Sequence, residues 1–223
     1  MALAVTELIS TRRGADVLIG GADERGSEGH LYVHSRVLLS GPEATRNLAD
    51  AVHYLCELHG PFPGVIDIAA QRSEGILHTW LHAAAERFTA ERTWLTSLVV
   101  AAGPLPSTPG QAESEAARNA QCHALEMLAR SDRFGCALGA ALALLLDWHQ
   151  IHAVLNVAAG RFGVDPMPLT LPDVAEIHAV ANQAAADSPA LARAIAFGSQ
   201  QLLLQHHGLW SLLEAREAAR RER

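Results

Sequence analysis

Ionisable side chains on the apolar faces of predicted helices are the strongest chemical signal in this sequence. The chain has 12 histidines among 223 residues, which directs attention to metal binding and acid–base chemistry. Carboxylate and imidazole ligands together suit iron or manganese in the core of a helical bundle. The candidate metal ligands, which share an interior helical phase on four predicted helices, are Glu91, Glu113, His123, Asp147, His152 and His206.

Glu91 interrupts an apolar stripe. It falls in phase with Leu77, Phe88 and Leu95, where a hydrophobic residue is expected. An isolated buried charge is costly, so this carboxylate must be ion-paired, hydrogen-bonded, metal-bound or neutral. An ion pair with an arginine of a neighbouring helix is the simplest of these interpretations, and metal ligation is the alternative.

The next predicted helix carries a weaker signal. Glu113 is in phase with Ala120 and Ala124, so we expect it to face the interior, and His123 lies near the edge of the same face. His123 and Glu126 stand in the order His-x-x-Glu, which reverses the Glu-x-x-His motif of di-iron bundles. A ferritin-like di-iron site is therefore not indicated.

Other histidines are assigned to the surface or to structural roles. His78, His82 and Glu86 line one face of a long helix, away from its apolar stripe, which predicts a solvated surface. For Asp147 and His152, structural hydrogen bonding is an alternative to metal ligation.

A row of small residues predicts a close helix contact. Gly135, Gly139 and Ala143 recur every four residues, Asp147 continues the row, and Gly198 lies in the apolar seam of the last helix. Such rows let a neighbouring backbone approach closely.

The composition predicts an all-α protein. Hydrophobic residues make up 49% of the chain and aromatic residues only 5%, with alanine prominent, and alanine has the highest helix propensity. We expect an antiparallel bundle of about six to seven helices, with residues 1–40 as an irregular N-terminal segment packed on a single domain of residues 41–223. The helices after Ser40 are predicted at 41–59, 73–102, 109–130, 132–159, 170–187 and from 189 toward the C-terminus.

Composition also excludes several functions. The net charge of −7 argues against nucleic acid as a partner, and the absence of lysine excludes a lysine Schiff base. The sequence contains no P-loop, G-x-G-x-x-G, G-x-S-x-G or H-E-x-x-H motif. The longest apolar run, residues 134–146, is too short to span a bilayer. Three cysteines without metal-ligand spacing indicate reduced thiols and a cytoplasmic location.

Four segments resemble a family of bacterial hypothetical proteins. They are HGPFPGVID (59–67), AAGPLPSTPGQAESEAA (101–117), LARSDRFGCALGAALALLLDW (128–148) and QQLLLQHHGLW (200–210). The family has no assigned activity, so the resemblance implies no catalytic residue. In size and helix number the chain is also similar to haem-oxygenase-like and ferritin-like bundles, a likeness of architecture alone.

Three functions remain open. The first is a helical-bundle binding or interaction protein, expected to be a homodimer because small-residue helix faces are abundant. The second is a metal-dependent enzyme that uses iron or manganese at the six candidate ligands. The third is a protein that binds a small apolar ligand, with the Pro/Gly turn after His59 and the set Trp94, Trp148 and Trp210 framing the pocket.

Overall fold

The chain folds into an all-α bundle, as predicted. The computed structural model describes residues 25–186 and 188–222, and these ranges contain eight α-helices, one short 3-10 helix and no strand. The 3-10 helix is Leu31–His34. The α-helices are α1 (Arg36–Leu39), α2 (Ala44–His59), α3 (Val65–Gln71), α4 (Gly75–Ala102), α5 (Gln111–Ala129), α6 (Phe134–Phe162), α7 (Val174–Ala186) and α8 (Pro189–Arg221).

Helix α6 is the centre of the bundle, and its glycine row brings it into backbone contact with α8. A methyl group on Gly139 would lie 2.0 Å from the carbonyl oxygen of Ile195. A methyl group on Gly198 would lie 2.0 Å from the carbonyl oxygen of Cys136. The predicted close helix contact is therefore confirmed, and it lies within one chain.

By length and composition, α6 could cross a membrane, contrary to the expectation from its apolar run. However, 83% of its most apolar window is buried inside the bundle. That burial is typical of the core helix of a soluble protein.

Several helix boundaries differ from the prediction. The helix predicted from residue 109 begins two residues later: α5 starts at Gln111, after Gly110, which has φ 71°. The Thr108 hydroxyl accepts hydrogen bonds from α8. Helix α3 was not predicted at all. The start of α8 is as expected, because the hydroxyl of Ser188 accepts a hydrogen bond from the amide of Leu191 at 3.0 Å.

The N-terminal region is described only in part. Of the segment 1–40, which is predicted to be irregular, residues 1–24 lie outside the described residues. The described part of this segment contains the 3-10 helix and α1. The proposed boundary at residue 40 stays a prediction.

A buried carboxylate fastens the end of α8 to α2. Asp50, with 1% of its surface exposed, accepts hydrogen bonds from Arg216 Nη2 at 3.0 Å and from Arg220 Nη1 at 2.5 Å. Both arginines also donate to the hydroxyl of Thr108. This cluster ties three parts of the chain together, and the buried charge of Asp50 is compensated inside the protein.

Candidate functional site

A chain of polar side chains crosses the core between α6, α8 and the end of α2. Asp147 Oδ2 accepts a hydrogen bond from His206 Nδ1 at 2.5 Å, and His206 Nε2 lies 2.9 Å from His59 Nε2. Ser27 donates to Asp147 through its amide at 2.7 Å and its hydroxyl at 2.6 Å. Trp210 Nε1 donates to that hydroxyl at 2.7 Å. All five residues are buried.

His59, at the far end of this row of polar side chains, is uncharged. Burial, followed by the nearby His206 and Arg92, holds the pKa of His59 well below its ordinary value of 6.5. The unfolded chain therefore binds a proton at His59 before the folded chain does, and acidification below about pH 6.5 favours unfolding at this residue. The contact between the two imidazoles then needs only one N–H, donated by one Nε2 to the other.

A second acid–imidazole pair joins α4 to α6. Glu91 Oε2 lies 2.9 Å from His152 Nδ1 and accepts a hydrogen bond from Trp148 Nε1 at 2.9 Å. His152 Nε2 lies 2.8 Å from the carbonyl oxygen of Met167. Because both imidazole nitrogens face acceptors, the doubly protonated form of His152 satisfies both contacts.

The electrostatics of His152 agree with this geometry. Burial lowers the pKa of His152, but the hydrogen bond and charge of Glu91 outweigh burial and raise the pKa above 6.5. Because the pKa of His152 is higher in the folded state, its protonated form stabilises the protein. This contribution is complete at pH values below the pKa of the unfolded state, and it is lost as the pH rises through the pKa of the folded state. His59 and His152 thus respond to pH in opposite directions.

The indole of Trp148 lies between the two polar groups. Its ring is 5.5 Å from the ring of His59 and 4.8 Å from that of Phe88, both edge to face, while its N–H binds Glu91. Glu91 Oε1 is buried and has no hydrogen-bond partner among the described residues. The expected arginine partner of Glu91 is wrong: its ionic partner is His152.

The six predicted ligands are only partly brought together. Glu91, Asp147, His152 and His206 meet in the core as two separate pairs, whereas Glu113 and His123 are exposed on α5. Within the described residues, no group of three or more His, Cys, Asp or Glu side chains is placed to hold a metal ion.

The prediction that Glu113 faces the interior is wrong because alanine was taken as a marker of the buried face. Ala116, Ala117 and Ala120 are exposed, and α5 is instead buried through residues of both polar and apolar type: Ser114, Gln121, Leu125, Leu128 and Ala129. A methyl side chain is too small to define which face of a helix is covered.

Two members of the polar chain were missed. His59 was given no interior role at the end of its predicted helix, although it continues the apolar stripe of Val52 and Leu55 at helical spacing, which was a usable signal. Ser27 lies in a segment without periodicity, and no sequence signal marked it. His206, predicted to have an interior helical phase, is fully buried.

A groove of about 530 Å³ opens between α5 and the turn 60–64, and we call it the turn groove. Its apolar lining includes Leu58, Val65, Ile68 and Leu125, and its polar residues include Glu57, His123 and Glu126. Phe62, which also lines it, is 74% exposed. The predicted tryptophan frame is wrong for this groove, because Trp94, Trp148 and Trp210 are buried and do not line it.

The walls of the turn groove are held by a buried ion pair. Arg92 Nη2 donates to Asp67 Oδ2 at 2.5 Å, and the same oxygen accepts a hydrogen bond from the amide of Gly64 at 2.8 Å. Arg92 Nε donates to the carbonyl oxygen of His59 at 3.1 Å. These bonds fix the turn from both of its ends.

Fold and sites together define an all-α bundle with two buried acid–imidazole pairs and a surface groove. The chain belongs to a family of unknown function (DUF6975), whose model matches residues 22–221. Membership in a family without assigned activity was expected, and it is confirmed. No curated protein and no solved structure matches the chain.

Proposed function

We propose that this protein is a helical-bundle binding protein that takes a compact, largely apolar ligand in the turn groove. The observation that carries the proposal is the groove itself, an open concavity with an apolar lining and a few polar groups. Its volume of about 530 Å³ falls in the range typical of small-molecule sites.

The buried polar network supports binding in preference to chemistry. Asp147, His206, Glu91 and His152 contact one another within the core and are almost inaccessible to solvent. Buried polar groups that satisfy one another hold the packing of a bundle in one arrangement. In this proposal their role is to keep the helices that carry the groove in register.

Preorganisation supports a specific ligand. Because Arg92 and Asp67 hold the turn through bonds within the chain, binding does not have to order this segment. The entropy cost of ordering a loop is one of the main terms that weaken association.

A neutral fluorescent probe tests the proposal. N-phenyl-1-naphthylamine carries no charge and becomes fluorescent in apolar sites, so the wild-type protein should bind it with saturation. Phe62→Ala removes one wall of the groove and should weaken binding by about 1–2 kcal/mol, roughly five- to thirtyfold. Phe197→Ala is the matched control, because Phe197 is also exposed but lies on α8, outside the groove.

A second pair of variants blocks the groove instead of widening it. His123→Trp places an indole on the lining of the groove and should abolish probe binding. Ala117→Trp adds the same side chain to an exposed position of α5 that does not line the groove, and it should have no effect. Unchanged binding in both His123→Trp and Phe62→Ala would refute the proposed site.

Homodimerisation is a separate proposal. The small-residue row that motivated it packs between α6 and α8 of one chain, so a dimer must use another surface. Size-exclusion chromatography with light scattering decides the matter, and a strict monomer at high micromolar concentration contradicts the dimer.

The cytoplasm is the proposed location. Cys56, Cys122 and Cys136 are free thiols, and unpaired thiols suit a reducing compartment. Oxidation-dependent loss of solubility in the purified protein would agree with this assignment, whereas a native intermolecular disulfide in cell extracts would oppose it.

Metal binding in the core is the second candidate function, and one geometric observation favours it. Nε2 of His59 and Nε2 of His206 face each other, and Asp147 supports the second imidazole as carboxylates do behind metal-ligating histidines. Elemental analysis of protein purified without a chelating tag tests it. Stoichiometric iron or manganese that is lost in His59→Gln supports the candidate, and metal far below one equivalent with no rebinding removes it.

A further inference from the structure

A second cavity, of about 710 Å³, lies at the N-terminal end of α2, and we call it the arginine pocket. It is bounded by α1, by the turn before α2, by the first turn of α2 and by the last turns of α8. Its cationic lining residues are Arg36, Arg46, Arg220 and Arg221.

Only part of this positive charge is neutralised. Glu43 pairs with Arg46 at 3.2 Å, and Glu217 approaches Arg221 at 4.0 Å. Within the described residues, the side chain of Arg36 makes no hydrogen bond or ion pair with any other residue.

The remaining arginine is shared with the buried cluster behind the pocket. Arg220 and Arg216 both bind the single carboxylate of Asp50. Counting the lining residues together with this cluster gives five arginines (Arg36, Arg46, Arg216, Arg220, Arg221) against three carboxylates (Asp50, Glu43, Glu217), an excess of two positive charges. The whole chain has a net charge of −7, so this excess is local to the pocket.

Further hydrogen-bond donors lie at the same place. Helix α2 begins at the pocket, and its N-cap residue Glu43 makes no capping side-chain bond, so the positive end of the helix dipole is available there. Beside the arginine cluster, the hydroxyl of Tyr32 is buried without a hydrogen-bond partner in the described part of the chain. Tyr32 interacts electrostatically with Asp50, Arg220 and Glu217, although it does not itself line the pocket.

We propose that the arginine pocket binds a small phosphate monoester with an apolar organic group. Guanidinium groups match phosphate oxygens in pairs, and a phosphate monoester carries close to the two negative charges that the pocket lacks. Val37 and Pro42 supply apolar wall for the organic group. The proposal does not depend on the turn groove, which lies at the C-terminal end of α2 and is lined by charged residues of both signs.

Titration calorimetry with 1-naphthyl phosphate tests the proposal, with neutral 1-naphthol as the comparison ligand. Wild-type protein should bind 1-naphthyl phosphate, and its affinity for 1-naphthol should be at least about tenfold lower. Added salt should weaken the binding of the phosphate but not that of the naphthol. Arg36→Gln should weaken phosphate binding by about tenfold or more, because it removes the unpaired guanidinium.

Matched variants make the result specific to the pocket. Arg193→Gln changes an exposed arginine of α8 that does not line the pocket, and it should bind the phosphate like wild type. Phe62→Ala should also retain phosphate binding, which separates this site from the turn groove. Absence of phosphate binding at millimolar concentration, equal affinity for 1-naphthol, or wild-type affinity in both Arg36→Gln and Arg46→Gln overturns the proposal. Arg36 and Arg46 are exposed, so these variants are expected to fold.

Discussion

Replacing Gly139 by alanine tests the crossing of α6 and α8, on which the whole bundle depends. The added methyl carbon would lie 2.0 Å from the carbonyl oxygen of Ile195, while carbon–oxygen contacts are ordinarily about 3.3 Å or longer. The two helices must therefore separate by roughly 1 Å, against a densely packed core. Overpacking costs about 1–3 kcal/mol and occasionally more, and a backbone neighbour cannot rotate away, so we expect about 3 kcal/mol or more.

Gly160→Ala is the matched control, because Gly160 lies on the same helix and a methyl group there would meet nothing within 4 Å. This substitution should stabilise the protein by up to about 1 kcal/mol, since alanine has the higher helix propensity. For a chain of this size each kcal/mol corresponds to about 2–4 °C in Tm. Differential scanning calorimetry should therefore show a fall of about 6 °C or more for Gly139→Ala and a small rise for Gly160→Ala. Two Tm values within about 2 °C of each other would refute the described crossing.

Three further predictions concern buried ionisable residues. Asp50→Asn leaves Arg216 buried without its carboxylate and should lower the free energy of unfolding, measured in urea, by about 3–5 kcal/mol. The control Glu43→Gln removes an exposed ion pair and should lower it by less than about 1 kcal/mol. Similar losses in the two variants would contradict the buried cluster. His59→Gln removes a residue that favours unfolding in acid, so the unfolding free energy of this variant should fall less than that of wild type between about pH 6.5 and pH 5. In wild type, protonated His152 adds to the free energy of unfolding, and this contribution is lost as the pH rises above about 6.5. The free energy of unfolding of His152→Gln should therefore depend less on pH above that value. If the pH profile of either histidine variant ran parallel to that of wild type, the direction assigned to the pKa of that histidine would be contradicted.

The helical architecture was predictable because its signals are local. The start of α8 at Ser188-Pro189 follows from a serine N-cap and a proline in the first turn, and both are features of a few adjacent residues. The glycine row of α6 is equally local, since one periodic pattern identifies the face that a neighbour approaches. Helix α3 was missed because seven residues between a Pro/Gly turn and Arg72 are too short to show a period.

The candidate site was predictable only in part. Glu91 was recognised as interior because one charge among large apolar residues stands out on its helix face. Glu113 was misplaced because the alanines around it carry almost no information on burial. The division of the interior ligands into a Glu91–His152 pair and an Asp147–His206 pair could not be read from the sequence, because it depends on which helices are neighbours.

The sequence by itself determined the fold class, most helix positions and the glycine-mediated contact, because propensity, capping and periodicity act over one or two helical turns. Only the tertiary structure decided the partners of the buried charges, the inclusion of His59 and Ser27 in the polar chain, and the location of both cavities. Those features join residues that are far apart in the chain, such as Ser27 and Asp147. Their contacts are set by the relative placement of whole helices, which no local pattern encodes.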